Sequence, residues 1–137
     1  MTQPFDVIGK TAPKRDGAEK VTGRTRYLHD LVLPRLAHGK ILRSRYPHAR
    51  LVRIDTRRAR ALPGVLAVLT GADVEPRPFG FAKDQTALKR GKVRSVRDEV
   101  AAVAAETPEI AEGALALIDV EYEELAAVFD PDRKSVV

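Results

Sequence analysis

Three histidines, His29, His38 and His48, are the side chains of this sequence best suited to hold a metal or to move a proton near neutral pH. They stand nine and ten residues apart, without a pair at i,i+3 or i,i+4, and Asp30 is the only carboxylate next to any of them. Metal sites gather several ligands by tighter local spacing or by acid clusters. The pattern therefore predicts structural or surface histidines. Ser44 and His48 fall on one predicted hairpin, but a hydroxyl and an imidazole without an orienting acid do not make a nucleophile. Glu121, Glu123 and Glu124 have the look of paired carboxylates, yet strand alternation puts 121 and 123 on one exposed face. Charge there guards a strand edge against pairing with another chain. Neither G-x-G-x-x-G nor G-x-x-x-x-G-K-[ST] occurs, so the short glycine turns predict no phosphate cradle. No catalytic, cofactor-binding or metal-binding residue is predicted in this chain.

One constellation rises above that background. Between Arg35 and Arg60 lie nine Lys or Arg and a single acid, Asp55, whereas Asp98 to Glu124 holds nine acids and no base. Lys40, Arg43, Arg45, Arg50 and Arg53, with Arg57 and Arg58 beyond, are predicted to form one positive face on a hairpin. That face would contact an acidic partner or steer an anionic substrate such as a coenzyme A ester. The same imbalance also allows basic and acidic regions to neutralise one another within the fold or across a subunit boundary.

The elements that position these residues follow from periodicity. Residues 1–20, broken by Pro4, Gly9, Pro13 and Gly17, predict an extended arm. Thr22-Gly23 predicts a turn into a strand over about 24–30. Strands over 38–44 and 49–55 are predicted to pair as an antiparallel hairpin through Tyr46-Pro47, with Val52 and Ile54 sharing one face of the second. Asp55 or Thr56 caps a short helix with Ala59 and Leu62 inward, and Pro63-Gly64 ends it. The apolar run Gly64–Thr70 predicts a central strand. Residues 71–92 are predicted loop, and 93–96 and 100–105 are paired or consecutive strands. Thr107-Pro108-Glu109 is a helix start with cap, N1 proline and favourable acid, followed by Ile110, Ala111, Ala114, Leu115 and Ile118 on one stripe. Residues 119–124 alternate as a last strand. The fold class is α+β, with a mixed sheet and two short helices.

With 137 residues, one domain is expected. The absence of cysteine excludes disulfides, thiolate metal sites and iron–sulfur ligation by this chain, and fits a reducing compartment. No apolar run approaches the ~20 residues that span a bilayer. The start Met-Thr-Gln-Pro-Phe-Asp lacks a secretory pattern, so a cytoplasmic location is expected. Seven aromatics and no nucleic-acid motif argue against a nucleic-acid binder.

Several segments in fixed order carry a resemblance: Lys20-Val-Thr-Gly23 with Tyr27 and Asp30, Arg43-Ser44 with His48-Ala49, Ala61-Leu-Pro-Gly-Val65, Val100-Ala-Ala-Val-Ala-Ala-Glu106, Val120-Glu-Tyr-Glu-Glu-Leu125 and Asp130-Pro131. Together they resemble the start of the molybdenum-binding large subunit of the xanthine dehydrogenase/aldehyde oxidase family, over roughly residues 7 to 131. The resemblance implies an α/β hammerhead domain over 21–131, with 1–20 as the arm and 132–137 as a C-terminal tail. It implies a full enzyme that uses a molybdopterin dinucleotide on an aldehyde, N-heterocycle or aromatic thioester. Iron–sulfur modules, and FAD in some forms, would sit on partner chains or fused domains. The family's pterin loops and catalytic glutamate match no position here, so the chain by itself is expected to be inactive. Two departures stand out: Arg45 where the family has proline, and Ser95-Val-Arg97-Asp98 where it has a glycine turn, which implies either a rebuilt turn or a divergent paralogue. The alternative reading is a free-standing basic module for an acidic partner or nucleic acid.

Overall fold

The computed structural model describes residues 8–11 and 13–130. The expected tail at 132–137 and the first seven residues of the expected arm lie outside them. The chain divides into two compact units, Met1–Pro34 and Arg35–Val137.

In the first unit, residues expected to be extended form a short helix, α1, Gly17–Val21. Thr22 closes it by donating its hydroxyl to the Ala18 carbonyl at 2.7 Å, and Gly23 turns the chain at φ 68°. The strand expected over 24–30 does not form. The Asp30 carboxylate accepts the Tyr27 N–H at 2.8 Å and the Asp30 N–H returns to the Tyr27 carbonyl at 3.0 Å, so Leu28–Asp30 curls into a 3₁₀ turn. A short polar side chain has captured the backbone before a strand could.

The second unit contains six strands: β1 His38–Arg43, β2 Ala49–Asp55, β3 Val65–Thr70, β4 Lys92–Val93, β5 Glu99–Ala105 and β6 Asp119–Glu124. Helix α2, Arg57–Arg60, follows β2, and α3, Pro108–Ala116, follows β5. The α+β class holds, but the strands divide between two sheets of order β1-β5-β3 and β4-β2-β6, every pairing antiparallel, rather than one mixed sheet. Each strand lies in the other sheet from the strand before it. The hairpin expected between 38–44 and 49–55 is therefore absent. Ser44 donates its N–H to the Asp98 carbonyl at 2.9 Å, while its hydroxyl donates to the Tyr46 carbonyl at 2.8 Å and accepts the Tyr46 N–H at 3.1 Å. This tight turn redirects the chain from one sheet to the other. The run 65–70 is likewise an edge strand; β5 holds the centre.

Helix α3 covers the sheet β1-β5-β3. Thr107 accepts the Ile110 N–H at 3.2 Å as its N-cap, and the expected stripe is the inward face: Ala111 and Ala114 are fully buried and Ile118 nearly so. Opposite lie Val68, Ala101, Val103 and Ala105, also buried. Alanines on both sides bring helix and strand backbones close, as their spacing suggests. Gly64, at φ 85°, ends the α2 segment at a point where a Cβ would lie 2.6 Å from Ile110 Cδ1.

Three β-bulges override simple alternation. One residue, Val52, is inserted between Leu51 and Arg53 of β2, so Leu51 and Ile54 both turn inward and Val52 is left exposed. The face assignment of Val52 with Ile54 is thereby corrected. Leu66 is the extra residue in β3. In β5 the extra residue is Val100, and it joins Ala49 and Val93 in a second small core while Ala101 belongs to the first. A bulge thus lets one strand feed two cores from adjacent residues.

Candidate functional site

The five basic residues singled out from the sequence occupy both sheets. Lys40 and Arg43 lie on β1, Arg45 in the crossover after it, and Arg50 and Arg53 on β2. Four of them meet an acid: Lys40 with Glu112 at 2.9 Å, Arg43 with Glu99 at 2.8 Å, Arg50 with Glu123 at 3.2 Å and Arg53 with Asp55 at 3.0 Å. Arg45 has no ion pair among the described residues. Three of the four acids come from the acidic C-terminal third, so the two charged regions neutralise each other inside the fold. These pairs are exposed and each is worth about 0–1 kcal/mol; their effect is on the field at the surface. Arg50 and Glu123 are also cross-strand partners, so the solvated edge expected for 121–124 is real and carries a rung of opposite charge.

Asp55 collects more than one cation. Its carboxylate accepts from the Arg57 side chain at 2.5 Å and the Arg57 N–H at 3.0 Å, and these bonds, with Arg53, hold it far below the usual carboxylate range. Asp73 is lowered by the Thr70 hydroxyl and N–H, with Arg60 nearby. Both carboxylates stabilise the fold while ionised, and lose that contribution only as the pH falls below about 4 and through their depressed values. Burial pushes the Tyr122 phenol up, where its ring meets Tyr46 at a centroid distance of 5.2 Å.

The other candidates are engaged by the backbone or stand apart. The Ser44 hydroxyl is held by Tyr46. The ring of His48 bonds through Nδ1 to the Ala126 carbonyl at 2.5 Å, and Leu125 N–H donates to the His48 carbonyl at 2.9 Å, which ties the segment after β6 to the start of β2. His29 is in the 3₁₀ turn of the first unit and His38 opens β1. Among the described residues no group of three or more His, Cys, Asp or Glu could hold a metal ion. No helix among them is long and apolar enough to cross a membrane.

Sequence reasoning did not weigh the charge of the stretch Lys89–Arg97, which holds five bases and no acid; that local count was the available signal. Two of the five are turned to structural work. Arg90 binds the carbonyls of Gly71 and Val74, anchoring the loop 71–91, and Gly71 leaves room for this because a Cβ there would lie 2.4 Å from the Lys89 carbonyl oxygen. Lys89 lies 3.9 Å from Asp98. Lys92, Arg94 and Arg97 have no ion pair among the described residues. At the departing turn Asp98 accepts the Arg94 N–H at 2.6 Å, Ser95 Oγ accepts the Arg97 N–H at 3.1 Å, and Arg97 does not adopt a positive φ. Two clefts flank this stretch. One of about 750 Å³ is lined by Arg43, the bases Lys89, Arg90, Lys92, Arg94 and Arg97, Asp98 and Glu99, and the loop stretches 74–76 and 84–88. The other, about 780 Å³, runs between Val96 and the segment Leu125–Phe129.

Two antiparallel sheets that share strands in strict alternation, with one helix across the first, are the frame in which known proteins match this chain. The family model for the aldehyde oxidase and xanthine dehydrogenase a/b hammerhead domain matches residues 22–126. The chain belongs to this family. It is 48% identical over 130 residues to a probable xanthine dehydrogenase component from Bacillus subtilis, covering 93% of this chain and 17% of that protein. It is 39% identical over 135 residues to the nicotinate dehydrogenase large molybdopterin subunit of Eubacterium barkeri, covering 97% and 32%. Among solved structures, reconstituted CO dehydrogenase from Oligotropha carboxidovorans superposes with a TM-score of 0.84 at 37% identity, over 91% of this chain and 16% of that one. Quinoline 2-oxidoreductase from Pseudomonas putida 86 does so with a TM-score of 0.74 at 43% identity, over 88% and 17%. The matched stretch spans 16% to 32% of the length of these relatives. Its sequence has neither of the two glycine-rich phosphate motifs, and no redox step is routed through its described residues.

Proposed function

We propose that this chain is the hammerhead portion of the large subunit of a molybdopterin-dependent hydroxylase or dehydrogenase. In this reading the enzyme acts on an aldehyde, N-heterocycle or aromatic thioester. The observation that carries it is the superposition on CO dehydrogenase across 91% of this chain and 16% of the larger one. The hammerhead's part is assembly: it packs beside a molybdopterin-binding domain or chain and presents charged surface to iron–sulfur and flavin modules, in the cytoplasm. By itself it is inactive, because the cofactor supplies the hard chemistry and must be held elsewhere. Lys40, Arg43, Arg45, Arg50 and Arg53 belong to the proposed contact surface, as two patches on the two sheets instead of one hairpin.

The test is mild purification from the native source, with intact masses and molybdenum content of whatever is recovered. A complex with molybdenum-binding and electron-transfer components is expected. Recovery of the chain alone and metal-free would overturn the assembly role. In the complex, reversing Arg43, Arg45 and Arg53 to glutamate should weaken assembly while circular dichroism of the variant stays unchanged.

A further inference from the structure

The groove between the Lys92–Val96 stretch and the segment after β6 has an uncommon composition. Its apolar lining comes from both sides, Val96 from the first and Leu125, Val128 and Phe129 from the second, of which Phe129 is 82% exposed. Its charged lining is Arg50, Lys92 and Arg94, and no acid is among the described lining residues. Lys92 sits directly across from Arg50 in the β2–β4 ladder. Like charges so placed repel, and while Glu123 relieves Arg50, nothing among the described residues pairs with Lys92. Arg94 is exposed, and the nearest acid in sequence, Asp98, already accepts the backbone N–H of Arg94 and faces Lys89. Here two bases without an ion pair among the described residues stand beside an exposed aromatic. Exposed aromatic and arginine side chains around an apolar centre are the makings of a protein interface.

We infer that this groove receives an acidic polypeptide segment of a partner, its apolar side chains against Val96, Val128 and Phe129 and its carboxylates against Lys92 and Arg94. Charge complementarity selects the occupant: a lining with bases and no acids favours an anion, and the apolar lining favours one carrying hydrophobic side chains. Arg97, on the rim of the adjoining cleft, extends the positive field. This names the chemistry of one partner contact within the assembly reading, yet it stands on the groove alone.

The experiment is a fluorescence-anisotropy titration of the full chain with three labelled probes. These are an acetylated Glu-Leu-Glu-Val-Asp-Leu-Glu-Phe peptide, its Gln/Asn counterpart, and a twelve-nucleotide oligo-dT. The acidic peptide should bind, the neutral counterpart roughly tenfold more weakly, and Lys92→Glu with Arg94→Glu should lower acidic-peptide affinity by about tenfold or more. Phe129→Ser should lower it several-fold, and Arg43→Glu with Arg53→Glu should change it little. The milder pair Lys92→Gln and Arg94→Gln, checked by circular dichroism, replaces the reversal if that variant misfolds. Absent peptide binding, or binding indifferent to Lys92, Arg94 and Phe129, overturns the inference. Tighter binding of the oligonucleotide through the same bases would overturn it in favour of a nucleic-acid surface. None of these outcomes depends on recovering the assembled enzyme, so failure here and failure of the assembly reading are separable.

Discussion

The middle strands of the two sheets set the character of each. In β1-β5-β3, the central strand β5 runs Glu-Val-Ala-Ala-Val-Ala-Ala, with charge only at its first residue, and α3 lies across it through Ala111 and Ala114. In β4-β2-β6, the central strand β2 carries Arg50, Arg53 and Asp55, its neighbour β6 carries four acids, and its small core of Ala49, Val93 and Val100 is completed by the Tyr46–Tyr122 pair. The first sheet has close backbone packing as its main source of stability. The second presents a ladder of exposed charge whose pairs contribute little energy but decide where positive field remains. A domain of this size can thus divide its labour: one sheet gives it stability, the other gives it a surface.

Three experiments test that division. The largest effect belongs to the first sheet. Ala111→Leu forces a branched side chain into a fully buried position between helix and sheet and should cost about 1–3 kcal/mol in chemical denaturation; a cost near zero would show that the packing is loose. Next, Thr107→Ala removes the cap that anchors α3 over the sheet and should cost about 1 kcal/mol, with Thr107→Ser recovering most of it. The smallest effect belongs to the second sheet. A double-mutant cycle between Arg50→Ala and Glu123→Ala should return a coupling of less than about 1 kcal/mol that fades in high salt. A larger, salt-insensitive coupling would place the second sheet's charges among its structural supports and erase the contrast.

Much of the local structure was legible in the residues. Thr107-Pro108-Glu109 specified a helix start because cap, N1 proline and acid act within one turn, and the stripe that follows it is the buried face. Pro63-Gly64 marked the end of α2, and the alternation of 119–124 marked an edge strand, for the same reason: the determinants are nearest neighbours. Pairing was not legible. Successive strands alternate between sheets, so the pairing inferred from adjacency in sequence, the 38–55 hairpin, pointed to the wrong partner. Nor could periodicity announce the inserted residues Val52, Leu66 and Val100, since a bulge is a mismatch between two strands and has no signature in one.

The charged surface divides the same way. The sequence by itself determined that a basic middle and an acidic C-terminal third coexist in one chain, and its ordered motifs determined the family. Only the tertiary structure decided which bases keep their charge unopposed. It brought Glu99, Glu112 and Glu123 onto Arg43, Lys40 and Arg50, and it left Lys92 and Arg94 beside an apolar groove. The reason is physical: ion pairing falls off within a few ångströms, and which charges come that close is set by strand register between segments far apart in the chain.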